Sequence, residues 1–142
     1  MTRPWLNSDV IFLDTSAIYA LADAGDPNHE RARELFGRAL GAEEDLLVHN
    51  YILVESVALL QSRLGLEQAL RFLRESEEFR IHWVTPQDHR QGVDLLEGRG
   101  RRGLSLVDCV SFVVMRRYGV EEALAFDTDF EQAGFKLYRA AG

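Results

Sequence analysis

Short apolar runs alternate along the chain with longer segments in which apolar residues recur every three or four positions. The short runs predict five strands, over Val10 to Leu13, Leu46 to Val48, Arg80 to Val84, Ala123 to Phe126 and Lys136 to Tyr138. Strands that are separated by helical segments need crossover connections, which place them side by side in parallel. The pattern therefore predicts an α/β fold, a three-layer α/β/α sandwich with a central, mainly parallel sheet.

Helices are predicted from the spacing of the apolar residues and from capping residues. The predicted segments are Thr15 to Ala22, a stretch around Ala32 to Leu40, Tyr51 to Leu64, Leu66 to Glu78, Pro86 to Gly98, Leu106 to about Arg117, and a short helix after Asp127. Asn50 is the predicted cap of the third helix, and Gly65 is its predicted end. A Thr or Ser three residues before an aspartate forms a capping box at the start of the fifth and sixth helices.

Length and charge narrow the class of protein. The 142 residues are 46% hydrophobic, which predicts one domain over residues 1–142. Acidic side chains outnumber basic ones by 23 to 16, giving a formal charge of -7. This balance excludes a simple basic nucleic-acid binder, but bound cations or a local patch can reverse the sign of the charge at one site.

The cysteine content and the apolar runs indicate a compartment. Cys109 is the single cysteine, so an internal disulfide and thiolate zinc clusters are excluded. No apolar run approaches the roughly 18 residues needed to span a bilayer. We therefore expect a cytoplasmic protein that does not enter the membrane.

Four carboxylates stand out by their positions. Asp14 directly follows the first predicted strand and Asp127 the fourth, so both are expected at the carboxyl edge of the sheet. Glu55 and Asp108 lie in apolar helical stretches that we expect to be largely buried. A buried carboxylate without a partner is costly, and no Lys or Arg lies within these four segments. If the four acids converge, a bound cation is the expected partner.

An all-oxygen ligand set predicts a hard cation. Carboxylates favour Mg²⁺ or Mn²⁺ over zinc, and about four of them can hold one or two ions that position water for in-line attack on phosphorus. The histidines show no metal-ligand spacing; they are His29, His49, His82 and His89.

Each acid also has a structural explanation when it is taken alone. Asp14 can cap the first helix, Asp108 can be the third residue of its capping box, and Glu55 can face solvent at the rim. Asp127 and Asp129 can be turn residues. The metal-site interpretation therefore depends on the acids as a set.

Four short acidic motifs carry a resemblance to a known family. They are Phe12–Ile18, Leu53–Ser56, Leu104–Asp108 and Phe126–Phe130. In order and spacing they resemble the four acidic motifs of the PIN (PilT N-terminus) domain, and the chain is most similar to the VapC-like toxin ribonucleases. The resemblance extends from Val10 to about Tyr138. It implies a parallel sheet between helices, acids gathered at its carboxyl edge, and Mg²⁺- or Mn²⁺-dependent cleavage of RNA.

The resemblance also implies roles for single residues. Asp14, Glu55, Asp108 and Asp127 match the acidic quartet of the family. Asp14 and Asp108 are implied to contact metal directly, and Asp127 to hold metal or a metal water. Glu55 is implied to orient the attacking water or a second ion.

Further matches concern an accessory pair and the partners. Asp129 matches an additional, more variable acid, and Ser16 matches a small hydroxyl residue beside the first acid. His49 and Asn50 stand where the family often has a threonine, and Asn50 can still cap the helix. The resemblance implies a homodimer and often a small antitoxin protein, whose C-terminal segment offers an Arg or Lys to the acids.

Three arginines lie between glycines just before the third motif. The segment from Gly98 to Gly103 satisfies G-x-G-x-x-G, but a dinucleotide-binding loop follows a strand, and here a helix is predicted before it. We expect Arg99, Arg101 and Arg102 to contact RNA phosphates beside the metal site. A solvated loop between two helices is the alternative.

Other functions are weighed against the nuclease. A phosphatase of the haloacid dehalogenase type needs a second aspartate two residues after the first, where this chain has Ser16. A phospho-receiver domain needs an acidic pair before Asp14 and a late strand-end lysine, and neither is evident. Two alternatives stay open: a solitary PIN-domain nuclease in RNA processing, and a PIN-like RNA- or protein-binding module without activity.

Overall fold

The structure is a computed structural model that describes residues 10–139, and it confirms the predicted α/β class. The strands are β1 (Val10–Leu13), β2 (Asp45–His49), β3 (Arg80–His82), β4 (Glu122–Leu124) and β5 (Lys136–Leu137). The helices are α1 (Thr15–Ala22), α2 (His29–Gly41), α3 (Asn50–Leu64), α4 (Leu66–Glu75), α5 (Pro86–Arg99), α6 (Leu106–Tyr118) and α7 (Asp129–Gln132), with a 3₁₀ turn at Ser76–Glu78. None of these helices is long and apolar enough to cross a membrane.

The sheet is parallel throughout, in the order β3-β2-β1-β4-β5. The first strand, β1, lies in the middle of the sheet; from it the chain moves outward through β2 to β3 and then crosses back to β4 and β5. Helices α1 to α4 pack on one another along the first path, and α5 packs on α6 along the return. The strand order therefore reverses between β1 and β4. In open parallel sheets, ligands bind beyond the carboxyl ends of the strands at such a reversal.

Aromatic packing fixes the segment that follows β4. Phe130, in α7, is fully buried, and its ring centroid lies 6.0 Å from that of Phe12 in β1. It also lies 5.3 Å from the centroid of Phe112 in α6, at a right-angled contact. Pairs of buried aromatic rings in such geometry stabilise the fold by more than the burial of their surface area alone. Phe130 thus holds the residues just before it against both β1 and α6.

Strands β3 and β4 each end two residues earlier than the apolar pattern predicts, and β5 ends one residue earlier, at Leu137. β4 ends at Leu124 rather than Phe126, because the Phe126 N–H donates to the side chain of Ser16 (3.0 Å). β3 ends at His82, because the Val84 N–H donates to Oδ1 of Asn50 (2.6 Å). In both places a side chain takes the hydrogen bond that a neighbouring strand would have supplied.

The predicted cap of α3 is wrong by one residue. The side chain of His49 accepts from the Ile52 N–H and caps the helix, and Asn50 is its first residue. Asn50 is committed instead to the hydrogen bond with Val84. His49 is fully buried, and its Nε2 lies 2.8 Å from the hydroxyl of Ser111 in α6.

Two other expectations about these helices need correction. α4 ends at Glu75 rather than Glu78, and the hydroxyl of Ser76 donates to the Leu73 carbonyl as the chain tightens into a 3₁₀ turn. The stretch around Glu55 is not largely buried, because α3 packs on one side only. Val54 is 69% exposed and Glu55 is half-buried.

A buried aspartate joins three elements. Asp88 is fully buried in the first turn of α5, where it completes a capping box with Thr85. Its Oδ2 lies 2.7 Å from Nε2 of His82, the last residue of β3, and its Oδ1 lies 2.5 Å from Arg117 of α6. Burial raises the pKa of Asp88, but the hydrogen bonds from His82 and Thr85 and the charge of Arg117 outweigh it and hold the pKa below its ordinary value.

Replacing Asp88 with alanine tests this junction. The Asp88→Ala variant is expected to lose about 3 kcal/mol of unfolding free energy, because His82, Arg117 and the start of α5 lose a shared partner. Urea unfolding followed by circular dichroism measures the loss. Asp94→Ala, on the exposed face of the same helix, is the matched control and should change stability by less than about 0.5 kcal/mol. Equal effects of the two substitutions would contradict this role.

Candidate metal centre

Three carboxylates converge beyond the carboxyl ends of the strands, at the reversal of strand order. Asp108, Asp127 and Asp129 each offer an oxygen, and these oxygens lie within 4.8 Å of one another. All three side chains are half-buried. We call these three residues the acidic cluster. The sequence predicted Asp108 and Asp127 as principal ligands and Asp129 as an additional one, and the structure brings all three together.

Asp14 lies beside the acidic cluster, at the end of β1, and is 4% exposed. Its Oδ2 accepts hydrogen bonds from the N–H (3.1 Å) and the hydroxyl (2.6 Å) of Ser16, so it also caps α1. Burial raises the pKa of Asp14 to about 7, although the Ser16 hydrogen bonds lower it and the charges of Asp127 and Asp108 add to the rise. The cap and the candidate metal ligand are therefore the same residue.

Ser16 connects the two strands that meet at the site. Its hydroxyl donates to Asp14 and accepts from the N–H of Phe126, the residue before Asp127. This pair of hydrogen bonds joins the end of β1 to the segment after β4. Ser16 thus fixes the position of Asp14 relative to Asp127. This contact gives a geometric reason for the accessory role that the sequence predicted for Ser16.

Two carboxyl groups of the acidic cluster have pKa values above the ordinary range. Burial raises the pKa of Asp127 to about 6; the Asp129 N–H lowers it, and the charges of Asp108 and Asp129 raise it further. Burial also raises the pKa of Asp108, despite its two hydrogen bonds with Ser105 in the capping box of α6. Negative charge on these residues is therefore not fully compensated by the surrounding protein.

Glu55 does not join the acidic cluster. It projects from α3, and its carboxylate is outside the group of oxygens that lie within 4.8 Å. The neighbouring Ser56 donates to the hydroxyl of Thr15, the residue after Asp14, at 3.3 Å. The helix that carries Glu55 therefore contacts the start of α1 beside Asp14, while Glu55 itself lies outside the group of close oxygens.

The arginine loop was predicted to contact RNA phosphates beside the metal site, and in the structure one of its arginines forms an ion pair with an acid of the cluster. Nη2 of Arg101 lies 2.6 Å from Oδ1 of Asp129. Arg99 and Arg102 are exposed. Spacing along the chain indicated that the loop is near Asp108; it gave no indication of a partner 28 residues away.

Sequence reasoning also missed the state of His49. Burial, together with the neighbouring His82, lowers the pKa of His49 to about 3, so the ring is neutral near pH 7. It therefore brings no positive charge to the nearby carboxyl edge. Its position between an apolar strand and a helix start was the available signal for a capping side chain.

The donor chemistry fits a hard divalent cation. The acidic cluster and Asp14 offer carboxylate oxygens, which Mg²⁺ and Mn²⁺ prefer over the nitrogen and sulfur ligands of zinc. Burial, and after it the neighbouring negative charges, raises the pKa of Asp14 and of Asp127, and a bound cation would stabilise their ionised forms. Asp14 would release its proton as such a cation bound.

Comparisons with known proteins place most of the chain beside relatives of one family. A family model described as the PIN domain matches residues 11–136. Two proteins of Mycobacterium tuberculosis, from strains CDC 1551 / Oshkosh and ATCC 25618 / H37Rv, match as 23S rRNA-specific endonuclease VapC20. Each is 37% identical over 128 residues, which cover 89% of this chain and 95% of the relative. The crystal structure of M. tuberculosis VapC20, described as a sarcin-ricin loop cleaving toxin, has a TM-score of 0.80 and 37% identity and covers 91% of this chain and 98% of that one.

The raised pKa of Asp14 predicts how stability changes with pH. Between its ordinary pKa of 3.8 and its folded value of about 7, the folded state holds a proton that the unfolded chain has lost. Raising the pH through this range therefore favours unfolding of the metal-free protein. Asp14→Asn keeps the helix cap and removes the titrating group. In chelator, its free energy of unfolding should therefore exceed that of the parent by about 2 kcal/mol at pH 8 and by much less at pH 4. Urea unfolding at both pH values measures this, and parallel profiles would contradict it.

Proposed function

The chain belongs to the PIN domain family, and on that premise we propose that it is a metal-dependent ribonuclease that hydrolyses RNA phosphodiester bonds. We propose further that it is the toxin of a toxin–antitoxin pair. The observation that carries the proposal is the convergence of Asp108, Asp127 and Asp129 beside the buried Asp14, at the reversal of strand order. The activity is assigned to one nuclease domain over residues 1–142.

In the proposed site the acidic cluster and Asp14 hold Mg²⁺ or Mn²⁺, as one or two ions. Bound there, the cation supplies Lewis-acid activation of the phosphate and positions the attacking water. Asp129 is a more direct ligand of the cation than its match to a variable acid of the family implied, because its oxygen lies within the cluster. Glu55 acts through water at a greater distance, and Ser16 keeps Asp14 aligned with the segment that carries Asp127.

We propose large-subunit ribosomal RNA as the substrate class. The support is the 37% identity, over most of both chains, to relatives described as 23S rRNA-specific endonucleases. The three arginines of the loop, Arg99, Arg101 and Arg102, contact the RNA backbone next to the acids. Backbone contacts position a strand and do not read its bases, so the choice of cleavage site depends on RNA shape and on other surfaces.

The proposal includes protein partners and a compartment. A small antitoxin protein and a second copy of the chain are the expected partners, in line with the toxin relative. Exposed apolar side chains such as Val54 and Trp83 are available for such contacts, at 69% and 68% exposure. The buried free thiol of Cys109 suits the reducing cytoplasm, where the RNA substrate is found.

Cleavage of ribosomal RNA tests the proposed function. Ribosomes and purified 23S rRNA are incubated with the protein and Mn²⁺ or Mg²⁺, and the cut is mapped by primer extension. Asp108→Asn and Asp14→Asn should each reduce the rate about 100-fold or more, because each removes charge from the metal site. Excess chelator should stop the reaction.

The control is an acid of similar chemistry elsewhere on the surface. Asp94→Asn removes one exposed carboxylate from α5 and should cleave at the parent rate. Thermal unfolding of all variants shows whether they are folded. Equal cleavage by Asp108→Asn and the parent, or cleavage in chelator, would remove the metallonuclease proposal. RNA binding by the parent without any cleavage would favour a binding module instead.

A further inference from the structure

Arg101 lies directly against the acidic cluster. Its Nη2 is 2.6 Å from Oδ1 of Asp129, and the side chains are 44% and 16% exposed respectively. The ion pair therefore joins an accessible cation to a mostly covered carboxylate. Arg101 also partly offsets the rise that burial causes in the pKa of Asp108 and of Asp127. One guanidinium thus acts on all three acids.

The turn that carries Arg101 is tightly constructed. The Arg101 carbonyl accepts from the Leu104 N–H at 3.1 Å, and Gly103 has a φ of +95°, which glycine adopts without strain. A Cβ on Gly100 would lie 2.7 Å from the carbonyl oxygen of Leu96. These two glycines therefore allow the chain to pass from α5 into α6 within a few residues, with Arg101 beside Asp129.

A guanidinium and a divalent cation compete for the same carboxylates. Asp129 belongs to the group whose oxygens are close enough to share an ion, and Arg101 already neutralises it. A divalent cation in the cluster repels the guanidinium and weakens its attraction to Asp129. A released Arg101 would stay attached to the turn between α5 and α6, beside the acids where the proposed function places an RNA phosphate. Its planar fork matches two phosphate oxygens.

We propose that Arg101 exchanges partners at the acidic cluster: it is the counter-ion of Asp129 before a divalent cation binds, and it contacts an RNA phosphate afterwards. The inference rests on the proposed metal-dependent ribonuclease function. It adds that cation binding and RNA binding are coupled through one side chain of this protein.

An ordinary surface ion pair makes a different prediction. Such a pair contributes little to stability and does not compete with a ligand. Partner exchange requires that one substitution have opposite effects on two affinities. Removal of Arg101 should strengthen cation binding without RNA and weaken RNA binding when the cation is present.

The first measurement is calorimetric titration of the metal-free full chain with MnCl₂, in the absence of RNA. Arg101→Gln is expected to lower the Kd for Mn²⁺ about three- to tenfold, because the competing charge is gone. Arg101→Lys keeps a competing charge and should bind Mn²⁺ less tightly than Arg101→Gln. Arg102→Gln removes the same charge from the same turn and is the matched control, with a change of less than about twofold.

The second measurement is the affinity for a short single-stranded RNA, with Ca²⁺ as the oxygen-binding cation to slow cleavage. Arg101→Gln should weaken binding more than Arg102→Gln does, and should reduce its salt dependence. Mn²⁺ affinity that is unchanged or weaker in Arg101→Gln would overturn the exchange.

An added variant separates failure of this inference from failure of the proposed function. If Asp108→Asn binds Mn²⁺ like the parent, the proposed metal site is wrong and the exchange is wrong with it. If Asp108→Asn loses Mn²⁺ binding but Arg101→Gln matches the parent, the metal site stands and the exchange alone fails.

Discussion

The burial of several carboxylates close together at one end of the sheet is the constraint on which this structure depends. Asp14 is almost fully buried, and its pKa of about 7 reflects burial first and the charges of Asp127 and Asp108 after it. Without a cation, the fold accommodates these groups partly by protonation and partly by the ion pair between Arg101 and Asp129. Each compensation is reversible, which is what a site that takes up a divalent cation requires.

The scaffold holds the acids in place by contacts that do not involve the cation. Capping positions Asp14 and Asp108, since the carboxylate of each accepts a backbone hydrogen bond at the start of a helix. Packing positions the segment after β4, because the buried ring of Phe130 follows Asp129 directly and contacts β1 and α6. The apparent alternatives of helix cap and metal ligand are therefore compatible. The same carboxylate can do both, because it has oxygen lone pairs left after capping.

The sequence predicted the architecture because apolar runs, helical periodicity and capping boxes are local signals. It predicted Asp14, Asp108 and Asp127 as candidate metal ligands for the same reason, since each stands at a recognisable strand end or helix start. It failed where a distant side chain intervened. Ser16 ends β4 early, and His49 rather than Asn50 caps α3. Glu55 was placed in a buried stretch because its neighbours are apolar, but the exposure of a helix face depends on tertiary packing.

The most direct test of the central claim is whether cation binding at the acids releases protons. Titration of the metal-free protein with Mn²⁺ at pH 6.5, in two buffers of different ionisation enthalpy, measures the number released. With the pKa of Asp14 at about 7 and that of Asp127 at about 6, saturable binding should release about one proton per protein molecule. Absence of saturable binding, or binding without proton release, would contradict the claim that these strained carboxylates form a metal site.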